Sequence, residues 1–233
     1  MKKALLLGSI GVLTETSELQ RQAYNQALKA NDIHYRWNTG TYCKLLQEPG
    51  GKKRLSSFDG GILSTEKITK IHNDKQEIFE TLVKNGIEPR PGCLDAIKKC
   101  KKLGLKLGFI TTTTPKTIAV IKEGLTNYIN FDDFDLITSD ECVNLQKPNP
   151  EAYEYALKKL EISASEAVAV EDTKSNQSAA SLCGIDCYLF NSMVLLWGYH
   201  VISFNSCSEV SLSFEPFSKD VWNGHAAPFA NID

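Results

Sequence analysis

The chain of 233 residues is 42% hydrophobic and 23% charged, with a formal net charge of -2. That profile excludes a fibrous or disordered protein and leaves room for one large domain or a core with a smaller attached unit, of which two units is the starting expectation. Basic and acidic residues are interspersed, so there is no electrostatic case for nucleic acid or an acidic membrane surface. The seven cysteines form an odd set without dense spacing and read as reduced thiols; Cys183 and Cys187 are too weak a pair for a metal site. No apolar run approaches membrane-spanning length, and the opening MKKALLLGSIGVL lacks the small-residue cleavage signature of a secretory signal. A cytoplasmic location is expected, or the stroma in a plastid-bearing organism.

In chain order, residues 4 to 7 are continuously apolar and closed by Gly8, as suits the central strand of a parallel sheet. Ser17 with Gln20 three positions on reads as a capping box for a helix running to about Ala30, with Leu19, Ala23, Ala27 and Leu28 as its apolar stripe. From there to about Ile87 only helical or loop patterns occur: YCKLL at 42 to 46, KRLSSF at 53 to 58, and an amphipathic stretch from Glu66 to Lys84 stopped by Asn85 and Gly86. After EPRPG at 88 to 92 the pattern alternates. Helices at 93 to 103, 115 to 123, 150 to 160 and 173 to 182 are interleaved with strands at 105 to 110, 134 to 138, 167 to 171 and 186 to 190, and HVISF at 200 to 204 reads as a last strand. The expected fold is α/β: a doubly wound parallel sheet core at 1 to 15 and 89 to 233, with an inserted all-helical cap at 16 to 88.

Such a sheet takes its ligand beyond the C-terminal ends of the strands. There, Thr111, Thr112, Thr113 and Thr114 offer hydroxyls and backbone N–H groups at a helix start, where an anion is favoured; plain capping ahead of Pro115 is the competing reading. Lys147, in QKPNPEAY, sits on a loop stiffened by two prolines and would either neutralise a phosphate or point to solvent. Glu171 and Asp172 close the apolar run AVAV, and carboxylates at a buried strand end need a cation or Lys147 as partner. This phosphate pocket lacks a nucleophile. Gly8 has no side chain and Ile10 no ionisable group, so neither can attack phosphorus or pass a proton to a leaving oxygen. Ser9 is available, but the sequence assigns it no base.

These four pieces in this order resemble the haloacid dehalogenase superfamily, and within it the CbbY-like sugar-phosphate phosphatases related to beta-phosphoglucomutase. The first motif, of the form DxDGxLxDT, falls on GSIGVLTET at 8 to 16: Gly11, Leu13 and Thr16 match, while Gly8 stands at the nucleophile position and Ile10 at the acid/base position. Thr111 matches the second motif, Lys147 the third, and Glu171, Asp172, Thr173, Ala179 and Ala180 the fourth, with Asn176 in place of a glycine. Gly50, Gly51, Lys52 and Arg54 resemble a GGKER-like cap segment, with Lys53 in place of the glutamate, and the family's DTEExH run is altered to Ser17 and Gln20 at its acidic and histidine positions.

The resemblance implies Thr111, Thr112 and Lys147 on a phosphate, Lys52 and Arg54 on the substrate from the cap, and Mg²⁺ held by Asp172, Glu171 and the carbonyl of Ile10, with weakened affinity because the ligand at position 8 is gone. The expected function is therefore a catalytically impaired or inactive member that binds phosphate or a phosphorylated sugar. With two carboxylates absent, Lys147 is expected to face less negative charge and to be more receptive to anions. A Mg²⁺-dependent sugar-phosphate phosphatase with a non-standard mechanism, improvising with Ser9 or Glu15, stays open, as does a structural remnant. The sequence specifies no protein partner. Trp37 and Tyr42 read as cap-core packing residues, and Phe214, Phe217 and Trp222 as pins for the tail from Ser206 to Asp233.

Overall fold

A computed structural model describes residues 1–46, 50–60 and 62–189, so HVISF and the tail from Ser206 lie outside the described residues. Among the described residues the chain divides into two units, one formed by Met1–Glu15 with the chain from Glu88 onward, the other by Thr16–Ile87.

The first unit opens with strand β1 (Ala4–Leu7), buried at all four positions, and a single helical turn α1 (Ile10–Leu13). This stretch after Gly8 reads as loop in the sequence. It turns helical because Val12 donates to the Ser9 carbonyl at 3.0 Å and Thr14 to the Ile10 carbonyl at 2.9 Å, which buries Val12 and Leu13.

The second unit is helical throughout its described secondary structure: α2 (Ser17–Ala30), α3 (Thr39–Leu45), α4 (Gly51–Asp59) and α5 (Thr65–Lys84). The expected capping box on α2 does not form. Thr16, not Ser17, is the N-cap, and its ψ of 0° departs from the extended backbone that aims a capping side chain at the helix, so it makes no such bond. Ser64 on α5 does cap, accepting the Lys67 N–H at 3.3 Å. The unit has its own core of Tyr24, Ala27, Leu28, Trp37, Tyr42, Leu55, Ile68 and Ile71. Tyr24 and Trp37 rings lie 4.7 Å apart and Trp37 stacks on Tyr42 at 6.0 Å, so these aromatics are packing residues of the helical unit's own core.

Back in the first unit follow α6 (Cys93–Lys102), β2 (Lys106–Phe109), α7 (Pro115–Leu125), β3 (Leu136–Ile137), α8 (Glu151–Leu160), β4 (Ala167–Glu171), α9 (Lys174–Leu182) and β5 (Asp186–Leu189). The five strands are all parallel in the order β3-β2-β1-β4-β5, with Leu7 opposite Phe109 on one side and Val170 on the other. Neither β1 nor β4 alternates in burial, as expected of strands covered on both faces. Small residues on α8 and α9, Ala152, Ala156, Ala179 and Ala180, pack with Leu6, Ala167 and Ala169 of the sheet. Strand β3 is shorter than expected because Phe134 closes a 3-10 turn, donating to the Phe131 carbonyl at 3.3 Å. Burial pushes the Cys93 and Cys100 thiols up to about 12. Among the described residues no helix is long and apolar enough to cross a membrane.

Two substitutions check the packing, read by urea denaturation. Leu6→Ala, which empties a fully buried site in the central strand, is expected to cost about 2–5 kcal/mol. Ser64→Ala, which deletes a cap, is expected to cost about 1 kcal/mol.

Candidate functional site

At the tip of β1, Gly8 is held by its N–H on the Val170 carbonyl at 2.8 Å, and Ile110 donates to the Leu7 carbonyl at 2.8 Å. The ladder thus brings the residues after β1, β2 and β4 side by side, at the place where the strand order reverses.

Lys147 reaches this point from the loop before α8. That loop is fastened by Glu151, whose carboxylate accepts the N–H groups of Asn144 at 2.9 Å and Leu145 at 2.8 Å, and the Lys147–Pro148 peptide is cis. Lys147 is 6% exposed, and its ammonium donates to the Gly8 carbonyl at 2.9 Å, the Ile110 carbonyl at 2.6 Å and Glu171 Oε1 at 2.5 Å. An ammonium has three hydrogens, and all three are taken. Tyr153, on α8, donates its hydroxyl to the same Glu171 oxygen at 2.7 Å, and its ring centroid lies 4.8 Å from the ammonium. Burial pushes the Glu171 carboxyl above its ordinary range against the pull of Lys147, and pushes the Tyr153 hydroxyl well up, with the Glu171 charge adding to it. Glu171 is 0% exposed, and its second oxygen, Oε2, is buried without a hydrogen-bond partner among the described residues.

The glycines of the opening loop make room for this acidic pair. A Cβ on Gly8 would lie 2.1 Å from the carboxyl carbon of Glu171, and a Cβ on Gly11 would lie 2.0 Å from Asp172 Oδ2. Both are far inside contact distance. Glu171 therefore fills the space that a side chain at position 8 would take, and Lys147 is paired with that carboxylate.

The threonine run divides its labour. The Thr111 N–H donates to Thr138 Oγ1 at 2.9 Å, and Thr138 returns its hydroxyl to the Thr111 carbonyl at 2.7 Å. Thr111 Oγ1 accepts the Thr113 N–H at 3.2 Å, which leaves its own proton for another acceptor. Thr112 follows, half-buried. Thr114 is a plain cap for α7, accepting the Thr117 N–H at 3.3 Å ahead of Pro115. The two groups that could improvise catalysis are poorly placed. Glu15 is ion-paired with Arg90, and Ser9 Oγ is buried with no partner, and hence no base, among the described residues.

Among the described residues no group of three or more His, Cys, Asp and Glu could hold a metal ion. The oxygens present still suit a hard cation that keeps several waters. Glu171 Oε2 has no hydrogen-bond partner among the described residues, Asp172 Oδ1 accepts from Asn176 at 3.1 Å while Oδ2 lies beside Gly11, and the Ile10 carbonyl accepts the Thr14 N–H.

In the helical unit, Arg54 lies over the Tyr24 and Tyr42 rings, 6.0 and 5.7 Å from their centroids, while Lys52 is exposed. Two neighbours escape a reading of the sequence. Lys75 is 4% exposed, donates to the side-chain carbonyls of Gln20 and Gln76, and sits 5.0 Å from the centroids of Tyr24 and Phe79. Burial and then the Arg54 charge lower its ammonium to about 7. His72 is lowered to about 4, by burial and then by Lys75, Lys52 and Arg54. Four basic groups thus converge. The signal was in the sequence: Lys75 occupies a core position in the apolar stripe Ile68, Ile71, Phe79, Val83 of α5.

The description "Haloacid dehalogenase-like hydrolase" matches residues 11–190. Protein CbbY of Cereibacter sphaeroides is 33% identical over 191 residues, covering 80% of this chain and 83% of that protein. A phosphorylated carbohydrates phosphatase of Thermotoga maritima is 28% identical over 185 residues, covering 79% and 82%. Among solved structures, CbbY from Rhodobacter sphaeroides in complex with phosphate superposes with a TM-score of 0.75 at 30% identity, covering 88% of this chain and 92% of that one. A mutant of the same enzyme in complex with xylulose-(1,5)bisphosphate gives a TM-score of 0.74 at 32% identity, covering 83% and 88%. The chain belongs to the haloacid dehalogenase-like hydrolase family, within which it is similar to the CbbY group.

Proposed function

We propose that this chain binds a phosphorylated sugar without turning it over. One observation carries the reading: position 8 has no side chain, and the space beside it is filled by a carboxylate already committed to Lys147. Phosphoryl transfer through a covalent intermediate needs a nucleophile at that point and a proton donor for the leaving oxygen, and Ile10 supplies no proton. Thr111, Thr112 and Lys147 form the anion cradle of the sheet unit. Lys52 and Arg54, with His72 and Lys75, form a second anion-binding centre in the helical cap. Each centre by itself suits one phosphate group, and the similar CbbY protein is seen in complex with xylulose-(1,5)bisphosphate. Mg²⁺, held weakly by Asp172, Glu171 and the Ile10 carbonyl, would neutralise charge on phosphoryl oxygens. The unpartnered Glu171 Oε2 favours one second reading, a Mg²⁺-dependent phosphatase in which that carboxylate replaces the lost nucleophile.

Phosphate release from xylulose 1,5-bisphosphate with Mg²⁺, measured beside CbbY itself, separates the two. The expected rate is lower by at least the factor of about 10² to 10⁴ that acid-base catalysis alone contributes. A rate near that of CbbY would establish the second reading.

Binding at the cap centre has a pH signature. Because the Lys75 pKa is lowered to about 7, the ligand-free fold holds fewer protons than the unfolded chain between the ordinary lysine value and 7, so this group's contribution to stability falls as pH falls through that window. A bound dianion favours the ammonium and reverses the preference. Affinity for the bisphosphate, measured by calorimetry, is expected to rise from pH 8.5 to pH 7, where its phosphates stay largely dianionic. The rise should disappear in Lys75→Met, and Lys52→Ala should weaken binding about tenfold at both pH values, as one charge-assisted contact would.

A further inference from the structure

The geometry points to Glu171 as a built-in occupant of the sheet unit's anion cradle: its carboxylate is seated on Lys147 beside Gly8 and excludes phosphate until it is displaced. The inference rests on the reading of Thr111, Thr112 and Lys147 as an anion cradle.

Three observations converge. First, the Lys147 ammonium has no hydrogen left to donate, since two go to carbonyls that end β1 and β2 and the third goes to Glu171. Of these partners the two carbonyls are fixed by the sheet, so only the carboxylate can leave. Second, the carboxylate lies where a side chain at position 8 would stand, its carbon 2.1 Å from the place of a Cβ there. Any larger residue would force it elsewhere, so the seat exists because position 8 is glycine. Third, Tyr153 donates its hydroxyl to the same oxygen that Lys147 holds, which fixes the carboxylate in this seat and leaves Oε2 buried without a partner. An incoming phosphate would have to take both the position and the counter-charge that Glu171 now supplies. A carboxylate tethered to its own backbone by two methylene groups is present at high effective concentration, so it wins unless the ligand offers more contacts.

The consequence is opposite in sign to that of an ordinary ligand-binding residue: removing the Glu171 charge should tighten phosphate binding. Inorganic phosphate is titrated by calorimetry into the full chain and into Glu171→Gln, in the presence of a chelator so that no divalent cation bridges the anion to the carboxylate. The amide keeps the shape of the seat and drops its charge. At least a tenfold tighter dissociation constant for Glu171→Gln is expected, whereas equal or weaker binding would overturn the inference. Should that variant fail to fold, the unaltered chain carries the test. With ¹⁵N-labelled lysine, and Lys147→Met to assign the signal, the Lys147 ammonium is expected to give a slowly exchanging resonance that inorganic phosphate leaves in place through the low millimolar range. A shift at micromolar phosphate would show an open cradle. Xylulose 1,5-bisphosphate run alongside keeps the two readings apart. If it binds the unaltered chain but Glu171→Gln gains no phosphate affinity, the proposed function stands and the occupant falls. If Glu171→Gln gains phosphate affinity while neither form binds the bisphosphate, the occupant stands and the proposed function falls.

Discussion

The strand tips are organised around one ion pair that has been taken out of water, Lys147 with Glu171. Either charge alone at such burial would cost several kcal/mol. Together they are tolerable because nearly every hydrogen-bonding atom is matched: the ammonium by two carbonyls and a carboxylate oxygen, and that oxygen also by Tyr153. The partners come from the ends of β1, β2 and β4 and from α8, so one ammonium fastens the three central strands to the helix that follows its own loop. Such a pair is poor evidence of net stabilisation, yet breaking it by deleting one member strands the other charge. That asymmetry is why Lys147 cannot simply be counted as a basic residue waiting for a ligand.

The helical unit holds its positive charge differently. Lys52, Arg54, His72 and Lys75 act electrostatically on one another, and the hydrogen bonds of Lys75 go to two neutral amides. The nearest acid in sequence, Asp74, is engaged by Lys70 and Asn31. Lys75 is therefore kept in check by desolvation, whereas Lys147 is kept in check by a counter-ion. A group restrained by desolvation gains from any anion that arrives; one already paired gains only what the exchange of partners yields.

Much of this fold is legible in the sequence, for identifiable reasons. Strands β1 and β4 are unbroken apolar runs because both faces are covered, and α5 shows its stripe because only one face is. Lys147, Thr111, Glu171 and Asp172 announce themselves by following such runs or by standing just before two prolines, and the Gly and Ile at positions 8 and 10 can be read letter by letter. The rest depends on quantities that letters do not carry. Whether Thr16 caps α2 is decided by its backbone angles. Whether a lysine within an apolar stripe points inward or extends its amine to the surface is decided by the room between Tyr24 and Phe79. The Thr138 hydroxyl that positions Thr111 comes from a neighbouring strand whose register must be known first.

The two glycines of the opening loop belong to a packed arrangement with the acidic pair. Gly11 lies under Asp172 and Gly8 under Glu171, at almost the same closeness. Restoring an acid at position 8 would therefore not refill a hole. It would drive a new Cβ into an occupied volume, displace Glu171, release the third hydrogen of Lys147 and leave two carboxylates competing for one ammonium. Effects at positions 8 and 171 must then be strongly non-additive, as for any two side chains that claim the same space. Glu171 already occupies the space beside Gly8, and its charge is paired with Lys147 at the strand tips.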